Sequence, residues 1–267
     1  MDDKKTKLAL ANAEDYGYMM AQLNLAFASW VEKKRHFNAK VSMRSGHPIM
    51  HAAEYLGKRG KAKFEEWDEM WLNRSATCNL YTHCAHVRQY IPEKGLDKPF
   101  TLVDNGYGGT LSKFLISSFD NRDLQTLLLL ADGRFRGSEK QKAFIEYNNH
   151  ELADRIQELV EDMPQEYERF DEENYVKNTQ GKIVVDKVRT GPNCQDKFRS
   201  FHIGLEKGFE DCFDAVQSGD KAQLEKYTNT LLVSPAGFTL SHNGEDFFPS
   251  SKLTKHKQKI KKIYEKG

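Results

Sequence analysis

Residues 100–119 read FTLVDNGYGGTLSKFLISSF. The run Phe100 to Val103 has the composition of a buried strand, and Leu111, Phe114, Leu115 and Phe119 recur at the spacing of a helix lying on a sheet. Between them stand Asp104, Asn105, the glycines Gly106, Gly108 and Gly109, and Thr110. The stretch predicts a strand that ends at Asp104, a turn whose glycines admit backbone geometry closed to residues with a β-carbon, and a helix capped by Thr110. In α/β proteins such a junction aims backbone N–H groups and a helix dipole at one spot, where a ligand phosphate is held.

The same rhythm recurs on both sides. Met19, Leu23, Phe27 and Trp30 mark an amphipathic helix over 14–35. A β-like stretch, Ala39 to Met43, is broken by Arg44-Ser45-Gly46-His47-Pro48, and Ile49, Ala52, Ala53 and Leu56 continue as a helix with Pro48 in its first turn. Glu69 to Asn73 is strand-like, Arg74-Ser75 make a turn, and Leu80, Cys84, Val87 and Tyr90 trace a helix face. A further strand, Leu124 to Leu130, ends in Ala131-Asp132-Gly133-Arg134. Strands alternating with helices predict an α/β fold, a mostly parallel sheet with flanking helices. The turns at Arg44, Arg74, Asp104 and Asp132 then converge on one rim, outside the carboxyl ends of the strands.

After residue 150 the pattern changes. Leu152, Ile156, Leu159, Val160 and Met163 form a helical stripe stopped by Pro164, and a hairpin about Asn178 to Gly181 leads into Ile183 to Val185. Phe198, Phe201, Leu205, Phe209, Cys212, Phe213 and Val216 mark a long helix, and Leu224 to Leu232 a shorter one. The division is an α/β phosphate-binding core over 1–150, a mainly helical cap or second lobe over 151–250 and a basic tail over 251–267.

Composition narrows the setting. The longest apolar run, Leu127 to Ala131, is far short of the roughly 20 residues of a membrane-spanning helix, so no membrane contact is expected. Cys78, Cys84, Cys194 and Cys212 fit neither a disulfide framework nor a zinc ribbon, and reduced thiols in the cytoplasm are the expectation. A net charge of +1 gives no global pull toward nucleic acid. Lys252, Lys255, Lys257, Lys259, Lys261 and Lys262 nevertheless crowd the C-terminus. They read either as a solvated, frayed helix or as an electrostatic contact to nucleic acid or another polyanion.

Two constellations compete for chemistry. On the rim, Asp104 is placed to hold ribose hydroxyls or a bound Mg²⁺, and the N–H groups from Gly106 to Thr110 to cradle a phosphate. Arg44 or Arg74 would stabilise a leaving pyrophosphate, with Asn105, Ser75 and His47 completing the contacts. The plain alternative is a tight turn with arginines paired on the surface. His83, Cys84 and His86 form the second cluster, but Cys84 lies on another helix face from the histidines and no fourth ligand follows, so ordinary packing is the better reading. An aspartyl nucleophile would need Asp-x-Asp after the first strand, which this chain does not carry.

Arg44-Ser45-Gly46, Asn73-Arg74-Ser75 and Asp104-x-Gly106-x-x-Gly109-Thr110, each after a strand, resemble an uncharacterised domain that follows a haloacid-dehalogenase-like hydrolase domain in some bacterial polysaccharide-locus proteins. The helix with Phe201 to Phe213 and Leu231-Leu232-Val233-Ser234-Pro235 fit it too. The strand, acidic turn, glycines and Thr110 also resemble type I phosphoribosyltransferases at the level of fold. The chain departs from them at Asn105, where a second acidic residue belongs, and in a shorter loop from Asp104 to Thr110. These likenesses imply a phosphoribosyltransferase-like core plus a helical C-terminal lobe, with a phosphorylated sugar or nucleotide as ligand. Glycosyl or phosphoribosyl transfer is the implied reaction, and a non-catalytic protein using its tail is the competing class.

Overall fold

The computed structural model describes residues 3–43, 46–72, 85–107, 109–119, 121, 123–131, 137–146, 175–185, 194–218, 232–233, 240–242 and 245–246. Strands β1 (Ala39–Ser42), β2 (Trp67–Met70), β3 (Thr101–Tyr107), β4 (Gln125–Ala131) and β5 (Gln141–Glu146) form a 5-stranded sheet in the order β2-β1-β3-β4-β5. Every neighbouring pair is parallel. Among the described residues five α-helices accompany them: α1 (Asp3–Lys34), α2 (His47–Lys58), α3 (Ala85–Glu93), α4 (Thr110–Phe119) and α5 (Cys194–Gln217). The expected α/β architecture, a parallel sheet flanked by helices, is what the chain forms.

Parallel strands must be covered on both faces, and the sequence shows it most clearly in β4, QTLLLLA, where every residue is buried. β1 connects leftward to β2, whereas β3 and β4 follow on the right. Right-handed crossovers therefore put α2 on one face and α3 and α4 on the other. α1 lies with α2, and α5 packs along α1. That contact is close: a β-carbon on Gly17 would overlap the Phe201 carbonyl oxygen, and one on Gly204 the Glu14 carbonyl oxygen. Phe201, Leu205 and Phe209 of α5 join one apolar core with Leu23 and Phe27 of α1 and Leu102 and Leu127 of the sheet.

Polar clamps fasten the amino edge of the sheet. The buried Gln125 side chain accepts hydrogen bonds from the His36 N–H at 2.8 Å and the Thr101 hydroxyl at 2.8 Å, and donates to the Lys34 carbonyl at 2.9 Å. It thus ties the end of α1 to β3 and β4. Nearby, Glu32 accepts from the Trp67 indole at 3.0 Å and pairs with Arg35 at 2.9 Å, and Arg35 also reaches Glu66 at 2.6 Å.

Boundaries moved where tertiary contacts outweigh local pattern. β2 starts at Trp67 and stops at Met70, two residues earlier than the expected start, because Ala39 pairs with Trp67 and Glu32 holds the indole. β3 does not end at Asp104 but runs on to Tyr107, paired with β4 up to Ala131. β5, an edge strand, carries little strand pattern in the sequence because only Ala143-Phe144-Ile145 are apolar, between Gln141-Lys142 and Glu146. The hairpin at Asn178 to Gly181 is present, joining β6 (Tyr175–Lys177) to β7 (Ile183–Val185), with the Asn178 carboxamide accepting the Gln180 and Lys182 N–H groups at 2.9 and 3.0 Å. Three short strands, β8 (Leu232–Val233), β9 (Leu240–His242) and β10 (Glu245–Asp246), make an antiparallel sheet the sequence reading missed, with Leu232 opening a strand where a helix end was expected. The helix over 152–163, most of the one over 224–232, the His83–Cys84 pair and the tail lysines lie outside the described residues. Among the described residues no helix is long and apolar enough to cross a membrane.

Candidate functional site

The strand order 2-1-3-4-5 is a doubly wound arrangement with its topological switch between β1 and β3. The two strands pair through Val41↔Val103, after which β1 turns away and β3 continues on β4 alone. In open α/β sheets a switch point of this kind is where ligands are bound. Here α2 begins just after β1, and α4 just after β3. Two helix N-termini thus lie at the carboxyl edge of the sheet, one on each face; α4 brings first-turn N–H groups, whereas in α2 Pro48 has no N–H and the Gly46 carbonyl takes that of Ile49.

On the α2 side, Gly46 is the cap residue, and its carbonyl accepts the Ile49 and Met50 N–H groups, both at 3.0 Å. His47 is the first helical residue and Pro48 follows, as the sequence suggests. The His47 ring is half-buried between the Trp71 ring, 5.5 Å away and tilted, and the Phe198 ring of α5, 5.5 Å away and edge-on. On the α4 side the cap is Gly109, not Thr110. The Gly109 carbonyl accepts the Lys113 N–H at 3.0 Å and the Ser112 hydroxyl at 2.8 Å, which leaves Thr110 exposed as the first residue of the helix.

Asp104 lies inside β3 with its carboxylate accepting the Asn105 N–H at 2.9 Å, and it is half-buried. Side chains alternate along a strand, so Asp104 and the buried Asn105 face opposite sides of the sheet. The expected grouping of the two into one contact set is therefore split by the pleat. Gly106 is bound to the sheet itself: it has φ +114, and a β-carbon there would overlap the Leu130 carbonyl oxygen of β4. Its glycine is explained by close approach of β3 to β4, not by room for a ligand. Arg44, Ser45, Arg74, Ser75 and Gly108 lie outside the described residues. Among the described residues no group of three or more His, Cys, Asp or Glu is arranged to hold a metal ion. Within β3, one residue past the last pairing with β1, Asp104 supplies a carboxylate that suits Mg²⁺ only when a ligand's phosphates supply further oxygens.

The end of β2 is held by residues the sequence reading did not connect to it. The Trp71 N–H donates to the Tyr90 hydroxyl of α3 at 2.8 Å, and the Tyr175 hydroxyl of β6 donates to the Trp71 carbonyl. Burial pushes the Tyr90 phenol well above its usual range, so it stays neutral. Tyr90 belongs to an apolar helical stripe in the sequence and Tyr175 to no motif; nothing local in either stretch signals that both reach Trp71.

Compared with known proteins, the chain matches no family model, no curated protein and no solved structure. Function has to be argued from the rim.

Proposed function

We propose that the chain binds a phosphorylated sugar or nucleotide in the crevice between the carboxyl ends of β1 and β3, and that it transfers a glycosyl or phosphoribosyl group there. One observation carries the reading: the strand order puts the switch point between β1 and β3, with the N-termini of α2 and α4 on either side. An anion there meets the positive ends of both helices and the first-turn N–H donors of α4. In this proposal Asp104 holds ribose hydroxyls or a Mg²⁺ that arrives with the ligand's phosphates, and the first turn of α4 at Gly109 and Thr110 takes a phosphate. His47 contacts the ligand from α2, and Arg44 and Arg74 supply guanidinium groups. The core is phosphoribosyltransferase-like in this reading and carries a helical C-terminal lobe. Its setting is the cytoplasm, in keeping with the free, buried Cys212.

Thermal unfolding of the full chain with phosphoribosyl pyrophosphate, ribose 5-phosphate and nucleoside monophosphates, each with and without Mg²⁺, tests the proposal. A ligand present at about a hundred times its Kd stabilises by about 2.7 kcal/mol, which a melting curve resolves. Asp104→Asn should melt like the parent without ligand and lose most of the shift with it. No shift with any of these compounds, or an equal shift in the variant, would refute the site. Pyrophosphate release on adding acceptor bases then separates a transferase from a binding protein.

A further inference from the structure

α2 presents His47, His51 and Tyr55 at four-residue spacing, with Arg59 as its C-cap, and this ridge meets Phe198, His202, Phe209 and Phe213 of α5. The rings interleave as a seam. Phe198 stands 5.5 Å from His47 and 4.3 Å from His202, and His202 lies edge-on to His51 at 4.6 Å. Further along, Phe209 is 5.8 Å from His51 and 5.1 Å from Tyr55, and the Arg59 guanidinium sits 3.6 Å over the Tyr55 ring and 5.4 Å from Phe213. The two ends differ in chemistry. Tyr55, Phe209, Phe213 and Arg59 keep one charge state across the physiological range, whereas the end nearest the strand termini is built on histidines.

His51 is the group on which that end turns. On its own helix it faces Glu54 at 3.7 Å, and Glu54 is already paired with Lys58 at 2.8 Å. From α5 it faces His202 and Glu206, the latter at 3.4 Å. The stretch of α1 packed on this part of α5 carries Glu14, paired with Lys207, the buried Asp15, and Tyr18, whose hydroxyl donates to Asp211. A neutral His51 ring packs edge-to-face in this seam as any aromatic does. A protonated ring stands beside a second imidazole with its Nε2 buried and without a hydrogen-bond acceptor, so it lacks the hydration a cation needs. Burial holds His51 below the ordinary histidine range even against the pull of Glu206 and Glu54, so the exposed carboxylates do not offset the lost hydration.

We propose that the α2–α5 seam is a proton-sensitive latch: closed while His51 is neutral, and loosened at its His47–Phe198–His202 end when His51 takes a proton. The latch is a property of the helix pair and does not depend on what binds at the strand ends. It would nevertheless act on them, because α2 begins at that rim and the α5 residue Phe198 rests on His47.

Hydrogen exchange of the full chain near neutrality and at about pH 5.5, corrected for the intrinsic pH dependence of exchange, tests it. Amides of α5 around 199–209 should lose protection by about threefold or more at the lower pH while those of β3 and β4 hold theirs. In His51→Phe and in His51→Gln the difference should shrink to less than about twofold, since neither side chain titrates. NMR titration of the wild-type imidazole gives a reading that needs no variant to fold: His51 should titrate below the value of an exposed histidine. A His51 that titrates at or above that value, a wild-type chain with no local loss of protection, or a loss that persists in both variants would each overturn the latch.

Discussion

Replacing Gly106 with alanine separates a glycine that shapes the sheet from one that makes room for a phosphate. At φ +114 the residue occupies backbone space that a β-carbon disfavours, a cost on the order of 1–3 kcal/mol. The added carbon also falls on the Leu130 carbonyl oxygen, so β3 and β4 must separate where Gly106 pairs with Leu130, in the fully buried stretch of β4. A backbone polar group stranded in that position costs about 1–3 kcal/mol more. Gly106→Ala should therefore destabilise the chain by about 2–6 kcal/mol, a large part of the 5–15 kcal/mol typical of a folded domain. Denaturant unfolding followed by circular dichroism measures this directly. Gly109→Ala is the companion: φ +63 makes alanine strained there too, but by only about 1–2 kcal/mol, so it should remain folded. Its effect should appear in binding of a phosphorylated ligand at the α4 N-terminus. A Gly106→Ala protein within about 1 kcal/mol of the parent would refute the close-approach argument and return Gly106 to the candidate ligand loop.

Gln125→Leu removes a side chain that makes three hydrogen bonds among the end of α1, β3 and β4, and takes the partner from the His36 N–H and the Lys34 carbonyl while the Thr101 hydroxyl keeps Phe37; a loss of about 1–3 kcal/mol in denaturant unfolding is expected. Glu32 is pushed up by burial, but hydrogen bonds from Arg35, the Trp67 indole and the Lys63 N–H more than offset this and leave it below the ordinary glutamate pKa. Its folded-state pKa is depressed, so its contribution is complete above that value and disappears as pH falls through the lowered pKa; Glu32→Gln should flatten the acid limb of stability against pH, and an unchanged limb would count against it. Burial pushes the Cys212 thiol up to about 12, so native protein at neutral pH should leave it unlabelled by a thiol reagent until denaturant is added, as peptide mapping of the modified cysteines would reveal.

The sequence by itself determined the class of fold and the place of the rim. Phe100 to Val103 is apolar but for Thr101, and Leu127 to Leu130 is a continuous apolar run; such stretches suit strands buried on both faces. Polar turns followed by helical periodicity then force parallel strands with helices between them, and the Asn178 to Gly181 turn carries its own hydrogen-bonding chemistry in the Asn178 side chain. Local pattern reaches no further than a strand, a turn and a helix. Only tertiary structure decided that β1 lies between β2 and β3, which is what sets the switch point at one pair of strand ends, because strand order depends on contacts far apart in the chain. It also decided that Asp104 and Asn105 part to opposite faces, since the sequence reading ended the strand at Asp104 while pairing with β4 carries it on to Tyr107. Tyr175 reaching the Trp71 carbonyl from across the fold, and His51 meeting His202, are of the same kind. Nothing in either partner's neighbourhood announces the other, because the free energy that joins them is gained only when distant elements pack together and exclude water.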